Sequence, residues 1–340
     1  MKDKKLQSWD DYFSSKGLSR DVIDKHISYI EKLDKNKLPI IFELLHLAKL
    51  LGRSSRFISI AINNPESLYR EFEIPKRNSN EFRTITCPYP SLLEVHQWIY
   101  NNILKSIKVH PCAHGFLEKK SIVSNVKPHC NSEQILKLDL KNFFPSISIN
   151  RIISIFSHLG YNKKVAYYLA RMCTFEDALP QGAPTSPALS NIVCYKMDKR
   201  IYRLCKKFNL VYTRYADDIT ISGKQIPLKI FEYVKVIIED SGFTINDLKT
   251  RRYTSNTKKI ITGVQLVNNS MSLPTAYKKS LMQELYYIKK YGLDSHMSKK
   301  KIRKHNYVNI LIGKLNYWNM IEPDNPYISE NKKMLYKYLQ

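Results

Sequence analysis

The segment Tyr215-Ala216-Asp217-Asp218 lies between two runs rich in β-branched and aromatic residues, Leu210-Val211-Tyr212-Thr213-Arg214 and Ile219-Thr220-Ile221-Ser222. Two strand-forming runs joined by so short a link read as a β-hairpin with both carboxylates at its tip. Adjacent carboxylates repel one another and are stabilised by a cation. The same chain carries 55 Lys and Arg against 30 Asp and Glu, a formal net charge of +25. An acidic turn in so basic a protein points to a divalent-metal site facing a polyanion, which is the setting of nucleotidyl transfer.

The length of 340 residues and the 43% hydrophobic content predict a full core divided among two or three coupled subdomains. The basic excess runs from Lys2 to Lys337 rather than forming a tail, which favours a phosphate-tracking surface over simple solubilising charge. Six cysteines without a CxxC pair, and a start without an apolar leader, predict a reduced, cytoplasmic protein. The most apolar stretch, residues 38–51, is interrupted by Glu43, His46 and Lys49, so no membrane role is expected. His110, Cys112, His114, His129 and Cys130 fit no common zinc spacing and read as packing residues and RNA contacts.

Apolar residues recur at helical spacing through the first 69 residues. Phe72-Glu73-Ile74-Pro75 and Phe82-Arg83-Thr84-Ile85-Thr86 read as a hairpin whose polar tip carries Lys76 and Arg77. Helical pattern is expected over 91–107, 152–159, 163–173, 189–208 and 230–240, and strands over 134–140, 243–245 and 260–267. After Pro274 the pattern is all helical. There the run Lys299-Lys300-Lys301-Ile302-Arg303-Lys304 is either a solvated helix face or a grip on a nucleic-acid duplex.

Transfer of a nucleotide requires in-line attack by a hydroxyl, with two metal ions stabilising the entering and leaving oxygens. Lys137-Leu138-Asp139-Leu140 offers Asp139 as a strand-end acid to join the paired-acid turn. Between them, Leu179-Pro180-Gln181-Gly182-Ala183-Pro184-Thr185-Ser186-Pro187 reads as a rigid loop opening a helix, with a glycine that permits close backbone approach.

In this order, residues 139–144, 179–187 and 215–218 resemble the three central palm motifs of reverse transcriptases. The likeness extends over about residues 55–325. It implies an α+β right-hand polymerase fold, with an N-terminal helical region (1–68), fingers (69–135), a palm built on a small antiparallel sheet (136–274, fingers elements interleaved around 150–178) and a short helical thumb (275–340). By the same resemblance, Asp139, Asp217 and Asp218 would hold two Mg²⁺ ions. Lys249 would protonate departing pyrophosphate, or alternatively form a surface ion pair. Phe143 and Phe144 would border the incoming deoxynucleotide, Phe144 as the ring that excludes a ribose 2′-hydroxyl unless it is a core ring. Gln181 would contact the nucleotide, and Arg83 with Lys76 or Arg77 would neutralise its phosphates.

Within that superfamily the chain is most similar to bacterial retron enzymes, through Asn125-Val126-Lys127-Pro128-His129 and Ile261-Thr262-Gly263. Retron similarity makes Asn125, His129, Ile261, Thr262 and Gly263 RNA contacts, with His129 alternatively a turn-stabilising residue. It also implies the partners: dNTPs, a cognate structured noncoding RNA, the RNA-linked DNA copied from it starting at a guanosine 2′-hydroxyl, and an effector protein encoded nearby in phage defence. A group II intron or diversity-generating reverse transcriptase is the alternative enzyme. A nucleic-acid scaffold restraining a toxic effector is the alternative outside catalysis.

Overall fold

The computed structural model describes residues 4–75, 81–254 and 257–339. Four helices lead the chain, α1 (Lys4–Ser15), α2 (Arg20–Lys35), α3 (Leu44–Leu50) and α4 (Ser55–Asn63), followed by the hairpin β1 (Tyr69–Pro75) and β2 (Phe82–Pro88). Next come α5 (Pro90–Ile99), α6 (Ile122–Val126), β3 (Gln134–Asp139), α7 (Ile149–Leu159), α8 (Lys163–Met172), α9 (Ser186–Val193) and α10 (Tyr195–Lys207). The hairpin β4 (Val211–Tyr215) and β5 (Asp218–Gly223) precedes α11 (Lys229–Asp240), β6 (Arg251–Tyr253), β7 (Lys259–Ile261), β8 (Val264–Val267) and β9 (Ser270–Ser272). Helices α12 (Thr275–Tyr291), α13 (Leu293–Lys299), α14 (Tyr307–Ile321) and α15 (Pro326–Tyr336) close the chain. This is the expected α+β class, with small antiparallel sheets.

The chain forms two compact units. The first comprises Met1–Pro111, Leu140–Arg200 and Ile237–Thr244. The leading helices bury Phe13, Ile23, Ile27 and Ile30, with Trp9 and Phe42 packed against them. Helix α7 ends at Gly160, whose left-handed φ of +119° allows the chain to turn where a Cβ would lie 3.1 Å from Lys32 Cγ. In the hairpin, Tyr69 pairs with Pro88 and Pro75 with Phe82.

The second unit comprises Cys112–Asp139, Ile201–Val236 and Ile245–Gln340. Its four-stranded sheet has the order β4-β5-β3-β6. A three-stranded sheet, β7-β8-β9, shares a core with the C-terminal helices through Ile261, Val264, Leu285, Leu311, Leu315 and Trp318. Burying these large apolar side chains supplies the main driving force for the unit.

Several expectations are corrected. Residues 243–245 form no strand. Residues 260–267 are two strands joined by a tight turn at Thr262 and Gly263, both with positive φ. One long helix over 189–208 is broken at Cys194, which follows α9 and precedes α10. Most of the Lys299–304 run lies beyond α13 in the connection to α14, with Lys301 at φ +53°, so it forms no helical stripe. Its charged residues are exposed, while Ile302 anchors the connection to the core.

Candidate active site

Strand β3 lies between β5 and β6 and ends at Asp139, whose cross-strand partner is Asp218 at the start of β5. Tyr215 pairs with Asp218, leaving only Ala216 and Asp217 as the link of the β4–β5 hairpin. The register therefore brings together the strand-end acid and the acidic turn, residues 78 positions apart in sequence, from 139 to 217. Ala216 turns with φ +56°, a left-handed conformation favoured in two-residue hairpin links.

The turn is braced from below. The segment around Ala113 bridges to Arg214, and the His114 N–H donates to the Arg214 carbonyl at 2.7 Å. A Cβ on Gly115 would lie 2.7 Å from the Ala216 nitrogen, so this position tolerates no side chain without moving the turn. Fully buried Arg214 donates through Nη1 to the Ala216 carbonyl at 3.0 Å. The chemistry-bearing residues alone gave no hint of Arg214. A large cation beside a hairpin otherwise made of apolar and hydroxyl residues was the available signal.

Lys249 Nζ donates to both oxygens of Asp139 at 3.0 Å, and Asn246 Nδ2 donates to Oδ1 at 3.2 Å. The main chain repeats the link, with the Asn246 N–H on the Asp139 carbonyl at 2.8 Å. Lys137 Nζ stands 4.0 Å from Asp218 Oδ1. Sequence reasoning missed both Asn246 and Lys137. Lys137 was legible from the two-residue period of a strand, which puts it on the same face as Asp139.

Burial, followed by the neighbouring charges of Asp218 and Asp139, pushes the Asp217 carboxyl up to about 6. Asp218 is also raised, chiefly by burial, with Lys137 opposing. Such a site is electrostatically short of positive charge, and hard carboxylate oxygens suit a hard divalent cation. Lys249 serves Asp139 in that sense here. Among the described residues no three His, Cys, Asp or Glu side chains converge as a metal-ligating group in this arrangement.

Other predicted site residues belong to the first unit. The Gln181 carbonyl accepts from the Thr86 N–H on β2 at 2.9 Å. Gly182, at φ +141°, passes so close to that strand that a Cβ would lie 2.8 Å from the Thr86 carbonyl oxygen. The loop is also pinned by His96, buried between Thr185 Oγ1 at 2.7 Å and the Tyr69 hydroxyl at 3.1 Å. Gln181 is thereby fixed beside the strand that carries exposed Arg83. Phe144 is half-buried. Phe143, expected beside the nucleotide, is 4% exposed and stacked on Phe243 at 5.7 Å. Lys76 and Arg77 lie outside the described residues.

The retron-like residues lie largely inside the second unit. Asn125, His129 and Ile261 are completely buried. His129 joins Ser222 Oγ at 2.6 Å and Thr213 Oγ1 at 2.8 Å, stapling β5 to β4. Asn125 Nδ2 reaches Thr262 Oγ1 at 3.5 Å, linking the two retron-like segments. Only Gly263 among the five is exposed, with Thr262 half-buried. His114 bonds Ser124 Oγ at 2.9 Å.

A sequence model of the reverse transcriptase (RNA-dependent DNA polymerase) family matches residues 74–307. The Retron Ec86 reverse transcriptase of Escherichia coli is 31% identical over 254 residues, covering 74% of this chain and 79% of that protein. The chain belongs to the retron reverse transcriptases. The Retron Mx162 and Mx65 reverse transcriptases of Myxococcus xanthus are 32% and 33% identical, over 68% and 64% of this chain. The chain spans only about half of these two relatives, 54% and 55% of their lengths. A foamy viral protease-reverse transcriptase solved in complex with double-stranded DNA aligns at a TM-score of 0.43 and 15% identity, covering 98% of this chain and 55% of that one. The family assignment rests on the sequence relatives. It carries with it the right-hand polymerase fold class and RNA-directed DNA polymerase activity, a chemistry that in this family uses divalent metal ions. Among the described residues no helix is long and apolar enough to cross a membrane.

Proposed function

We propose that this retron reverse transcriptase copies part of a cognate structured noncoding RNA into single-stranded DNA that stays joined to it, starting from a guanosine 2′-hydroxyl. The observation that carries the catalytic part is the Asp139–Asp218 cross-strand pair with Asp217 in the adjoining link. In this reading Asp139, Asp217 and Asp218 hold two Mg²⁺ ions, which supply charge neutralisation at the attacking and leaving oxygens. Lys249, which donates to both Asp139 oxygens, would be the general acid for the departing pyrophosphate. Phe144 selects the deoxyribose, Gln181 borders the nucleotide, and Arg83 with Lys76 or Arg77 meets the phosphates.

In this reading residues 69–135 serve as fingers, 136–274 as palm, with the acid-bearing sheet in it, and α12–α15 as thumb. Asn125 and His129 act indirectly, by holding the Thr262–Gly263 turn and the sheet behind it. That turn, with exposed Gly263, is the part left to meet RNA. The RNA-linked DNA product and a neighbouring effector protein complete a phage-defence particle.

Primer extension on an RNA template tests the site. Asp217→Asn and Asp218→Asn should each lower the rate by about a hundredfold or more. Extension at the wild-type rate by either variant removes the metal-site assignment. For the substrate, protein purified from its native host should carry a molecule sensitive to both RNase and DNase. Recovery of random cellular RNA alone would count against branched priming.

A further inference from the structure

We propose that the first unit contains a binding site for a phosphate ester, in a cavity built from none of the residues assigned above. The cavity, of about 620 Å³, lies among the start of α7, the α9–α10 junction and the end of α11. Its size is that of a small-molecule site. Arg151, Lys196 and Arg200 line it, with Asp240 as the single acid.

Asp240 is engaged: Arg200 Nη2 donates to its Oδ2 at 2.8 Å. Among the described residues no carboxylate pairs with Arg151 or Lys196, so two positive charges face the cavity without counter-ions. The Arg151 guanidinium lies over the Phe243 ring, 4.7 Å from its centroid, and its buried Nη1 has no hydrogen-bond partner. Burial lowers the Arg151 pKa, with the Cys194 thiol as the opposing influence. Gly242, at φ +75°, leaves room for this group, since a Cβ there would lie 3.4 Å from Nη1.

A planar guanidinium fixed on an aromatic face is a fork suited to two oxygens of one phosphate, and Lys196 adds a point charge. Val193 and Met197 complete the lining with apolar surface suited to a sugar or base. The shared chemistry is therefore a nucleotide phosphate, from a free nucleotide or from the backbone of a bound polynucleotide. The inference does not depend on the carboxylate cluster or on the priming reaction proposed for it.

The test uses the full chain. Inorganic phosphate and AMP are titrated calorimetrically, and a short oligodeoxythymidine is followed by fluorescence anisotropy at near-physiological salt. Wild type is compared with Arg151→Gln, with the Lys196→Gln/Arg200→Gln double variant and with Ser241→Glu, which adds negative charge at the rim without removing a core contact. Lys163→Gln, on the exposed start of α8, controls for general loss of positive charge.

Binding of AMP or phosphate that weakens about tenfold in the cavity variants, but not in the control, supports the site and identifies a free nucleotide as the source. Absence of AMP binding, with oligonucleotide affinity falling at least about threefold in the same variants only, supports the site with a polynucleotide as its source. Unchanged affinities in folded variants, or equal losses in Lys163→Gln, overturn the proposal. Primer extension at saturating template should stay within about twofold of wild type in Ser241→Glu, which separates this site from the polymerase centre.

Discussion

Two hairpin links of the second unit, Ala216-Asp217 and Thr262-Gly263, share a design and differ in what they hold. Each joins antiparallel strands through two residues, closed by the pairs Tyr215–Asp218 and Ile261–Val264. Each also uses left-handed backbone, at Ala216 (+56°) in the first and at Thr262 (+43°) and Gly263 (+82°) in the second. The first is clamped by backbone contact with Gly115 and by the buried Arg214 guanidinium. The second leans on one long hydrogen bond from Asn125, whose Oδ1 is buried without a partner. A link that aims carboxylates leaves no slack, whereas a link that offers its own surface is held by fewer bonds. A β-branched residue at positive φ is more strained than alanine, so the second link stores more local strain at Thr262 than the first does at Ala216.

The largest effect expected from breaking this contrast is on the clamped side. Gly115→Ala places a methyl against the Ala216 nitrogen and must shift the acidic link, so kcat in primer extension should fall about 10- to 100-fold. Unchanged kcat would show that the turn is not held by that contact. Next is His129→Ala, which empties a buried site and takes one hydrogen bond from each of the Thr213 and Ser222 hydroxyls, leaving Thr213 on the Asn125 carbonyl and Ser222 on Ser132. Unfolding in urea without any RNA present should show about 2–4 kcal/mol of lost stability. A variant of normal stability that fails only to bind RNA would restore His129 as a direct contact.

The pH dependence of stability separates the two kinds of group. Burial holds His129 and His96 at about 3, below their ordinary 6.5, so their contribution is complete above about pH 6.5 and declines as pH falls toward 3. Asp217 has the opposite sign. Its folded-state pKa of about 6 exceeds the unfolded value of 3.8, so acidification from 6 toward 4 protonates the folded state first and favours it. Between pH 7.5 and 5 each histidine should remove about 2 kcal/mol and Asp217 should return about 1 kcal/mol. Asp217→Asn should therefore steepen the acid loss, as read from urea midpoints. The smallest effect is expected at Gly263→Ala. Only an ordinary contact with Tyr317 at 3.6 Å stands nearby, so the change costs about 1 kcal/mol through backbone strain alone.

Much of this was legible from local pattern. Period-two runs located β3 and the β1–β2 and β4–β5 hairpins, and apolar spacing located the leading and closing helices, because these signals depend on which residues face a core. The break at Cys194 was not legible, since that run contains no proline or marked polar interruption and tertiary packing decides where it turns. The split of 260–267 into β7 and β8 had one signal that went unread, Gly263 after Thr262. The fate of Asn125 and His129 was equally hidden. A polar residue in a loop looks like a contact until the sheet that buries it is in place.

By itself the sequence determined the class of the chain and the identity of its acids, since carboxylates at a strand end and at a hairpin tip are local features with fixed chemistry. Only the tertiary structure decided that Asp139 pairs with Asp218, that Asn246 and Lys249 stand on Asp139, that Phe143 is core, and that Arg151 faces a cavity with no paired carboxylate among the described residues. Those outcomes depend on register and burial, which come from contacts among residues far apart in the chain.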